Sequence, residues 1–459
     1  MAADRAESLQ QQTDELTETT ENLLESNTKL RSALDSFFGR FVGDEAFRMQ
    51  LSTTFRNEMV QEMLAYYENY LELHVDDDQL TLDVCERIAT VTSHLLDSGT
   101  HIQANHAIVW NLKKLRRMID SDNTNSDALS LLASVQLQAC EIPDEKNYDE
   151  DYSDFAERAL QNSQLAIEID EFNQEAKRLR LIAKAQLLRA DAEINADDRN
   201  VQFSDLISQL DLLSEAQPEK LKLYQDRSRL RNWLGRLSGP NEKVSLRIES
   251  IEVLKQQRDV QRKQGRTGYW TDRSIAVGTF FLGMAQMQLK NQKAAEANLN
   301  SAQEQLRNLI ERTPAFIQIR MDLAEILVQV GNVKLRTNQQ EEAIDFFDKA
   351  IVEFKQVSQM EDGQNYAIAR RSQTNKLVAM QLIKSEQIQV AHDYVHRAVD
   401  AYRSLFSQDS NYYGPRHFQE FEKLLIFAAD HFEQNGDASA SSKYRQEAVK
   451  LREENAKEF

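Results

Sequence analysis

Three sets of residues recur in the second half of the chain at an interval of 48, and this register constrains the fold more than any other feature. Leu282-Gly283 is followed by Val330-Gly331 and Val378-Ala379 at steps of 48 and by Phe427-Ala428 at 49; Leu234-Gly235 stands 48 before the first. Ala295, Ala343, Ala391 and Ala440 follow at 48, 48 and 49, and Ala302, Ala350 and Ala398 at 48 and 48. Leu299, Phe347 and Val395 lie between the two alanine sets in the same step. A fixed period of this length is the mark of a stacked repeat. A large-small pair in one helix lets a second helix approach closely. Small residues seven apart on the second helix then face the first, with a large apolar residue filling the gap between them. Such a hairpin cannot bury its apolar face alone, so neighbouring hairpins must stack.

Composition agrees. The 459 residues include 13 glycines and 5 prolines, against average usage of roughly 7% and 5%. So few turn residues exclude an all-β chain and disfavour α/β. With 41% apolar and 28% charged residues the chain can bury a core. From Asp44 onward it reads as consecutive helices of about 15–25 residues. Phe55 to Leu73 is amphipathic, and helices are expected to about Asp97, from His101 to Asp120, to near Cys140, and from Phe155 to Asp170. Turns are signalled by VDDDQLT, SDNTNSD, LSGPN at 237–241, QGRTG at 264–268, EDG at 361–363 and NG at 435–436. The aspartates of VDDDQLT supply an N-cap.

The repeat resembles the tetratricopeptide repeat (TPR) family. Gly283, Ala295, Leu299 and Ala302 carry the resemblance in one unit, Gly331, Ala343, Phe347 and Ala350 in the next, and Ala379, Ala391, Val395 and Ala398 in the third. It is good over residues 271–450 and partial over 124–240, where LAIEID resembles a repeat ending. The family unit is normally 34 residues; here it is longer, and the usual helix-ending proline is met late, by Pro314, or is missing. In the unit beginning at Leu234-Gly235, Arg247 stands where alanine is expected. A narrower resemblance, over residues 30–120, links the run FRNEMVQEMLAYYENYLEL to the TPR-containing tails of bacterial eukaryote-like Ser/Thr protein kinases. It implies a sensor or scaffold tail, detached or truncated, since the chain has no Gly-rich loop, HRD loop or DFG motif.

The resemblance implies an all-α, right-handed solenoid of stacked helical hairpins. The expected organisation is an N-terminal amphipathic helix over 1–43, a helical TPR-like region over 44–240, and a TPR-like array over 241–459. The first of these carries a heptad stripe of Leu9, Leu16, Leu23, Leu30 and Phe37. Its companion seam, Thr13, Thr20, Asn27 and Leu34, is polar, so packing on the body and a weak homodimer zipper are both open readings.

The net charge is −19, and residues 1–100 hold 7 basic and 20 acidic side chains, or −13 of it. Such a surface repels nucleic acid and anionic membranes. No apolar stretch approaches a membrane span, and the first residues have neither the basic start nor the apolar run of a secretory signal. With two cysteines, Cys85 and Cys140, a cytoplasmic protein without a disulfide framework is expected. Both cysteines read as buried small apolar residues.

No motif carries recognisable catalysis, metal or cofactor chemistry, so no catalytic residue, metal ligand or cofactor is assigned. His392 and His396 have the i,i+4 spacing of two ligands on one helix face, yet no third ligand is near in sequence. Surface histidines flanking a core Val395 are the expected reading. Asp149, Asp151 and Ser153 mimic the start of a calcium loop, but Asp154 replaces the required glycine and Leu160 the closing glutamate. Lys255, Arg258, Arg262 and Arg266 line one helix face before Tyr269 and Trp270; an ordinary basic face paired with the acidic excess is favoured over an RNA surface.

In TPR-like stacks the first helix of each hairpin lines a concave surface that takes peptides or partner helices. The residues expected there are Phe280, Met284 and Met287, then Val328, Asn332 and Arg336, then Lys376, Met380 and Lys384. Methionines make such a surface adaptable, and the lysines favour a protein or peptide partner with acidic character. The alternative is that several of these residues are core. The expected function is a non-catalytic interaction scaffold; the kinase-tail reading and a helical enzyme without a recognisable motif are the alternatives.

Overall fold

In the computed structural model, the residues described from position 53 onward are 53–72, 77–97, 101–142, 152–360 apart from 192 and 315, 364–408 and 415–458. The heptad stripe of residues 9–37 and the loop aspartates 149 and 151 lie outside them. Among the described residues there are seventeen helices: α1 (Thr53–Glu72), α2 (Asp78–Asp97), α3 (His101–Ser121), α4 (Ser126–Ala139), α5 (Tyr152–Ile169), α6 (Gln174–Ala190), α7 (Ala196–Ala216), α8 (Leu221–Leu237), α9 (Pro240–Lys263), α10 (Tyr269–Gln288), α11 (Gln292–Arg312), α12 (Ile317–Arg336), α13 (Gln340–Val357), α14 (Gln364–Lys384), α15 (Ile388–Gln408), α16 (Pro415–Gln434) and α17 (Ala438–Glu458).

Side-chain caps set the boundaries, the expected one at Asp77 among them. Asp77 Oδ1 accepts from the Leu80 amide at 2.8 Å and Asn125 Oδ1 from the Ala128 amide at 2.9 Å, each satisfying an amide that the first turn of its helix leaves free. Asn173 caps α6 through the Ala176 amide at 2.8 Å, while its Nδ2 donates to Ser126 and Ser130 of α4. Pro240 opens α9, where its missing amide costs nothing.

The chain divides into two compact units, one holding α1–α6 and the other α7–α17. The main division in the sequence falls at Ala190–Asp191, and the segment Arg262–Thr267 groups with the first unit. Helices α7–α9 group with the second unit: side chains tie each to the next, and Ile251 and Leu254 of α9 pack with Ile275 and Leu282 of α10. Arg227 and Arg231 of α8 pair with Asp211 of α7, and Ser228 of α8 bonds Ser250 of α9. In the first unit, Val60, Met63, Tyr67 and Leu71 of α1 pack on Val84, Ile88, Val91 and Leu95 of α2. Cys85 lies in the adjoining core with Ile108, Leu112 and Leu132, and the half-buried Cys140 packs on its edge.

In the second unit the repeat register becomes packing. Ala295, Leu299 and Ala302 of α11, Ala343, Phe347 and Ala350 of α13, and Ala391, Val395 and Ala398 of α15 are all buried. Each second helix lies against the large-small pair of the helix before it. The hairpin turns share one device. Lys290, Asn338, Glu386 and Gly436 all have positive φ, between 59° and 83°, and close α10–α11, α12–α13, α14–α15 and α16–α17.

Two sets of polar links join successive hairpins. On the first helices, Arg273 of α10 pairs with Asp322 of α12 at 2.5 Å, Glu325 of α12 takes both oxygens to Arg370 of α14 at 2.5 and 2.6 Å, and Gln373 of α14 donates to Glu420 of α16 at 3.1 Å. On the second helices, Tyr394 of α15 donates to Asp348 of α13 at 2.8 Å, and Arg403 of α15 pairs with Glu447 of α17 at 2.6 Å.

Candidate peptide-binding face

The three first helices α10, α12 and α14 present the same register to the outside. Phe281, Gln329 and Leu377 are 48 apart, as are Met284, Asn332 and Met380, and Gln288, Arg336 and Lys384. Positions i, i+3 and i+7 share one face of a helix, and all nine side chains are half-buried or exposed. The strip is apolar with a polar end at Gln288 on α10, polar with a basic end on α12, and apolar with a basic end on α14.

Five of the sequence-predicted residues, Met284, Asn332, Arg336, Met380 and Lys384, lie on this strip. Met287 is half-buried one step to its side. Phe280 and Val328 do not belong to an open surface: they are 7% and 3% exposed. Each sits one residue before a strip position, and about 100° of helix rotation turns it into the core. Sequence reasoning missed Phe281, Gln329 and Leu377. The register identifies them once Met284, Asn332 and Met380 are taken as the anchor, but the Phe280-Phe281 pair gives no hydropathy contrast to choose by.

Lys376 has a different setting. It is half-buried on α14 with its ammonium 5.1 Å from the ring centroid of Phe427 on α16. Burial, then the like charge of Lys423, holds its pKa below the usual lysine range. Arg371 of the same helix is half-buried and its pKa is also lowered by burial. No carboxylate among the described residues lies in ion-pair range of Lys376 or Arg371, whereas Arg370 between the links is fully paired. In a chain of net charge −19, intramolecular partners are plentiful, so these cations are conspicuous.

The other sequence candidates resolve into packing. Lys255 pairs with Glu252 at 2.6 Å and Arg258 with Asp272 at 3.5 Å, so at both positions the basic face meets the acidic excess. The two histidines flank a fully buried Val395, but only His396 is exposed; His392 is half-buried with its Nε2 shielded from solvent, because its ring packs on His431 and Phe432 of α16. They are joined by the buried His431 of α16, whose ring lies 4.9 Å from that of His392, and by Tyr444 of α17, whose hydroxyl is 2.7 Å from His396 Nδ1. Among the described residues no group of three or more His, Cys, Asp or Glu is placed to hold a metal ion, and no helix is long and apolar enough to cross a membrane.

What decides the class of fold is the pairing of α10–α11, α12–α13 and α14–α15, each a hairpin built on the same first-helix small residue and second-helix alanines. The fold is TPR-like. No family model matches the sequence, and no curated protein matches it. Among solved structures, this TPR-like chain is similar to a thermophilic TPR protein of Thermus thermophilus, at 16% identity over 51% of this chain and 98% of that one, TM-score 0.34. It is similar to a signal-transduction ATPase with a TPR sensor from Pyrococcus horikoshii, at 12% identity over 87% and 54%, TM-score 0.45. It is also similar to the apo form of RapI, at 12% identity over 82% and 99%, TM-score 0.42. At such identities the likeness is one of fold alone.

Proposed function

We propose that the chain is a non-catalytic interaction scaffold whose first-helix strip in the second unit holds a peptide or helix of acidic character. The observation that carries this reading is the half-buried cation Lys376, which has no carboxylate partner among the described residues and lies one residue from Leu377 on the helix that also presents Met380 and Lys384. A desolvated cation is stabilised by an incoming carboxylate more than an exposed one is. The apolar strip beside it supplies contact area, and its methionines adapt to the ligand's shape. Each hairpin adds a few contacts, so affinity accumulates along the array.

The test is binding of a library of 15-residue peptides, acidic and charge-neutral, to the full chain and to a Met284→Glu, Lys376→Glu double variant with unchanged helicity. Acidic amphipathic peptides that bind the wild type and lose at least tenfold in the variant support the strip. Equal binding to both proteins removes it.

A further inference from the structure

Where the three later units bury an alanine at Ala295, Ala343 and Ala391, the α8–α9 hairpin buries an arginine. Arg247 is 9% exposed. Its Nη1 donates to Asn232 Oδ1 of α8 at 2.5 Å, and its guanidinium carbon lies 5.1 Å from the ring centroid of Phe281 on α10. Its buried Nε has no acceptor. Among the described residues no carboxylate lies within ion-pair distance, and the charge that acts on it is a second cation, Arg236. Arg231 of the same hairpin, equally buried, shows the ordinary arrangement: it pairs with Asp211 at 2.6 Å and with Glu249 at 3.4 Å.

The hairpin has been rebuilt around this residue. Gly283 faces Leu299 and Ala295 of its own partner helix, but Gly235 faces Leu246, and Ile251, at the Leu299 position, packs on Gly278 of α10 instead. An uncompensated buried charge is among the most destabilising features a core can hold. With Nη1 engaged by Asn232, the Nε–Nη2 edge is left. That edge can donate to the two oxygens of a carboxylate side by side, and guanidinium planarity suits it to that group. Phe281, which stacks on the guanidinium, is 42% exposed and belongs to the first-helix strip.

We propose that Arg247 is the anion-reading residue of a carboxylate subsite in the α8–α9–α10 seam, with Asn232 and Phe281 fixing its plane. The carboxylate comes from an acidic residue of a peptide lying on the strip, which rests on the function proposed above, or from a free small dicarboxylate. The chemistry at Arg247 is the same for both.

The experiment uses the full chain labelled with ¹⁵N-arginine, with succinate and a hexaglutamate peptide as probes and sodium chloride at matched ionic strength as the control. The Arg247 Nε–H resonance is assigned by its loss in Arg247→Met. Succinate is expected to move that resonance and raise Tm, and hexaglutamate to do so at concentrations at least tenfold lower. Arg247→Met, and Arg247→Lys, which keeps the charge but not the fork, are expected to lose both responses. In plain buffer Arg247→Met is expected to melt no lower than the wild type, whereas a merely structural arginine would lower Tm on removal. A resonance that neither probe moves, or Tm responses equal in wild type and both variants, overturns the subsite. Should succinate bind but hexaglutamate gain nothing over it, the subsite stands and the strip falls as the source. Should hexaglutamate binding depend on Met284 and Lys376 but not on Arg247, the strip stands and the subsite falls.

Discussion

A Cβ placed on Gly331 would stand 2.6 Å from Cε1 of Phe347, inside the ring's van der Waals surface. The two residues are one instance of a graded pairing. Gly283 opposes Leu299, whose Cγ would lie 3.0 Å from an added Cβ. In the third unit Ala379 occupies the first-helix position and the second-helix residue has shrunk to Val395, both fully buried. As the large partner goes from Phe and Leu to Val, the small one gains its methyl. In the last hairpin the pattern departs: Tyr444 lies with Phe432, ring centroids 5.7 Å apart, and reaches His396.

Gly331→Ala is therefore expected to cost about 1–3 kcal/mol, the range for overpacking a close helix crossing. Urea unfolding measures it. A double-mutant cycle with Phe347→Leu should show a favourable coupling above about 0.5 kcal/mol, as for residues in direct contact. Additive effects would mean that the ring is not what the methyl meets.

The hairpin turns supply a change of opposite sign. Glu386 and Lys290 hold φ near 60°, a region costly for residues with a Cβ. Glu386→Gly is expected to stabilise by about 0.5–1 kcal/mol, the relief of strain being partly offset by the freer unfolded chain. Asn338→Gly should gain less, because asparagine tolerates this conformation. In thermal melts, glycine at position 386 or 290 should raise Tm more than glycine at 338.

His431 makes the last hairpins sensitive to acid. It is 4% exposed, its Nε2 has no partner, and burial together with His392 and His396 lowers its pKa below 6.5. As pH falls below the unfolded value, the unfolded chain takes up a proton that the folded one refuses, so the unfolding free energy falls until the folded pKa is passed. Well above the unfolded value both states are neutral and the effect vanishes. The Tm of the wild type is expected to fall from about pH 7 toward about pH 5.5 more steeply than that of His431→Phe. Parallel slopes would place the acid sensitivity elsewhere.

Burial pushes the thiols of Cys85 and Cys140 up to about 12, so neither is a thiolate near neutrality. Ellman's reagent is expected to find no fast-reacting thiol in the folded protein and two in guanidinium chloride. One rapid equivalent in mildly alkaline buffer would contradict the packing of the first unit.

The register was legible because its residues sit where two helices touch, and there sequence has little freedom: Ala295, Ala343 and Ala391 are small for one geometric reason repeated three times. The face of the first helix was only partly legible. It is packed on several sides, so apolar residues run through most of its circumference, and Phe280 and Phe281 look alike until burial separates them. Arg247 could be seen as a departure from the repeat, but Asn232 and Phe281 come to it from two other helices. His431 joins His392 and His396 in the same way, through a contact that the stacking creates and no local spacing announces.

The links from hairpin to hairpin, such as Arg370 to Glu325 and Arg403 to Glu447, span 45 and 44 positions in sequence but only one repeat in space. Pulled from its two ends, the second unit would load these links one after another in place of sharing the force across a single shear plane. It would lengthen in steps of one 48-residue hairpin, each releasing about 16–17 nm of chain. Under such a load the array would give up one hairpin while its neighbours keep their shape.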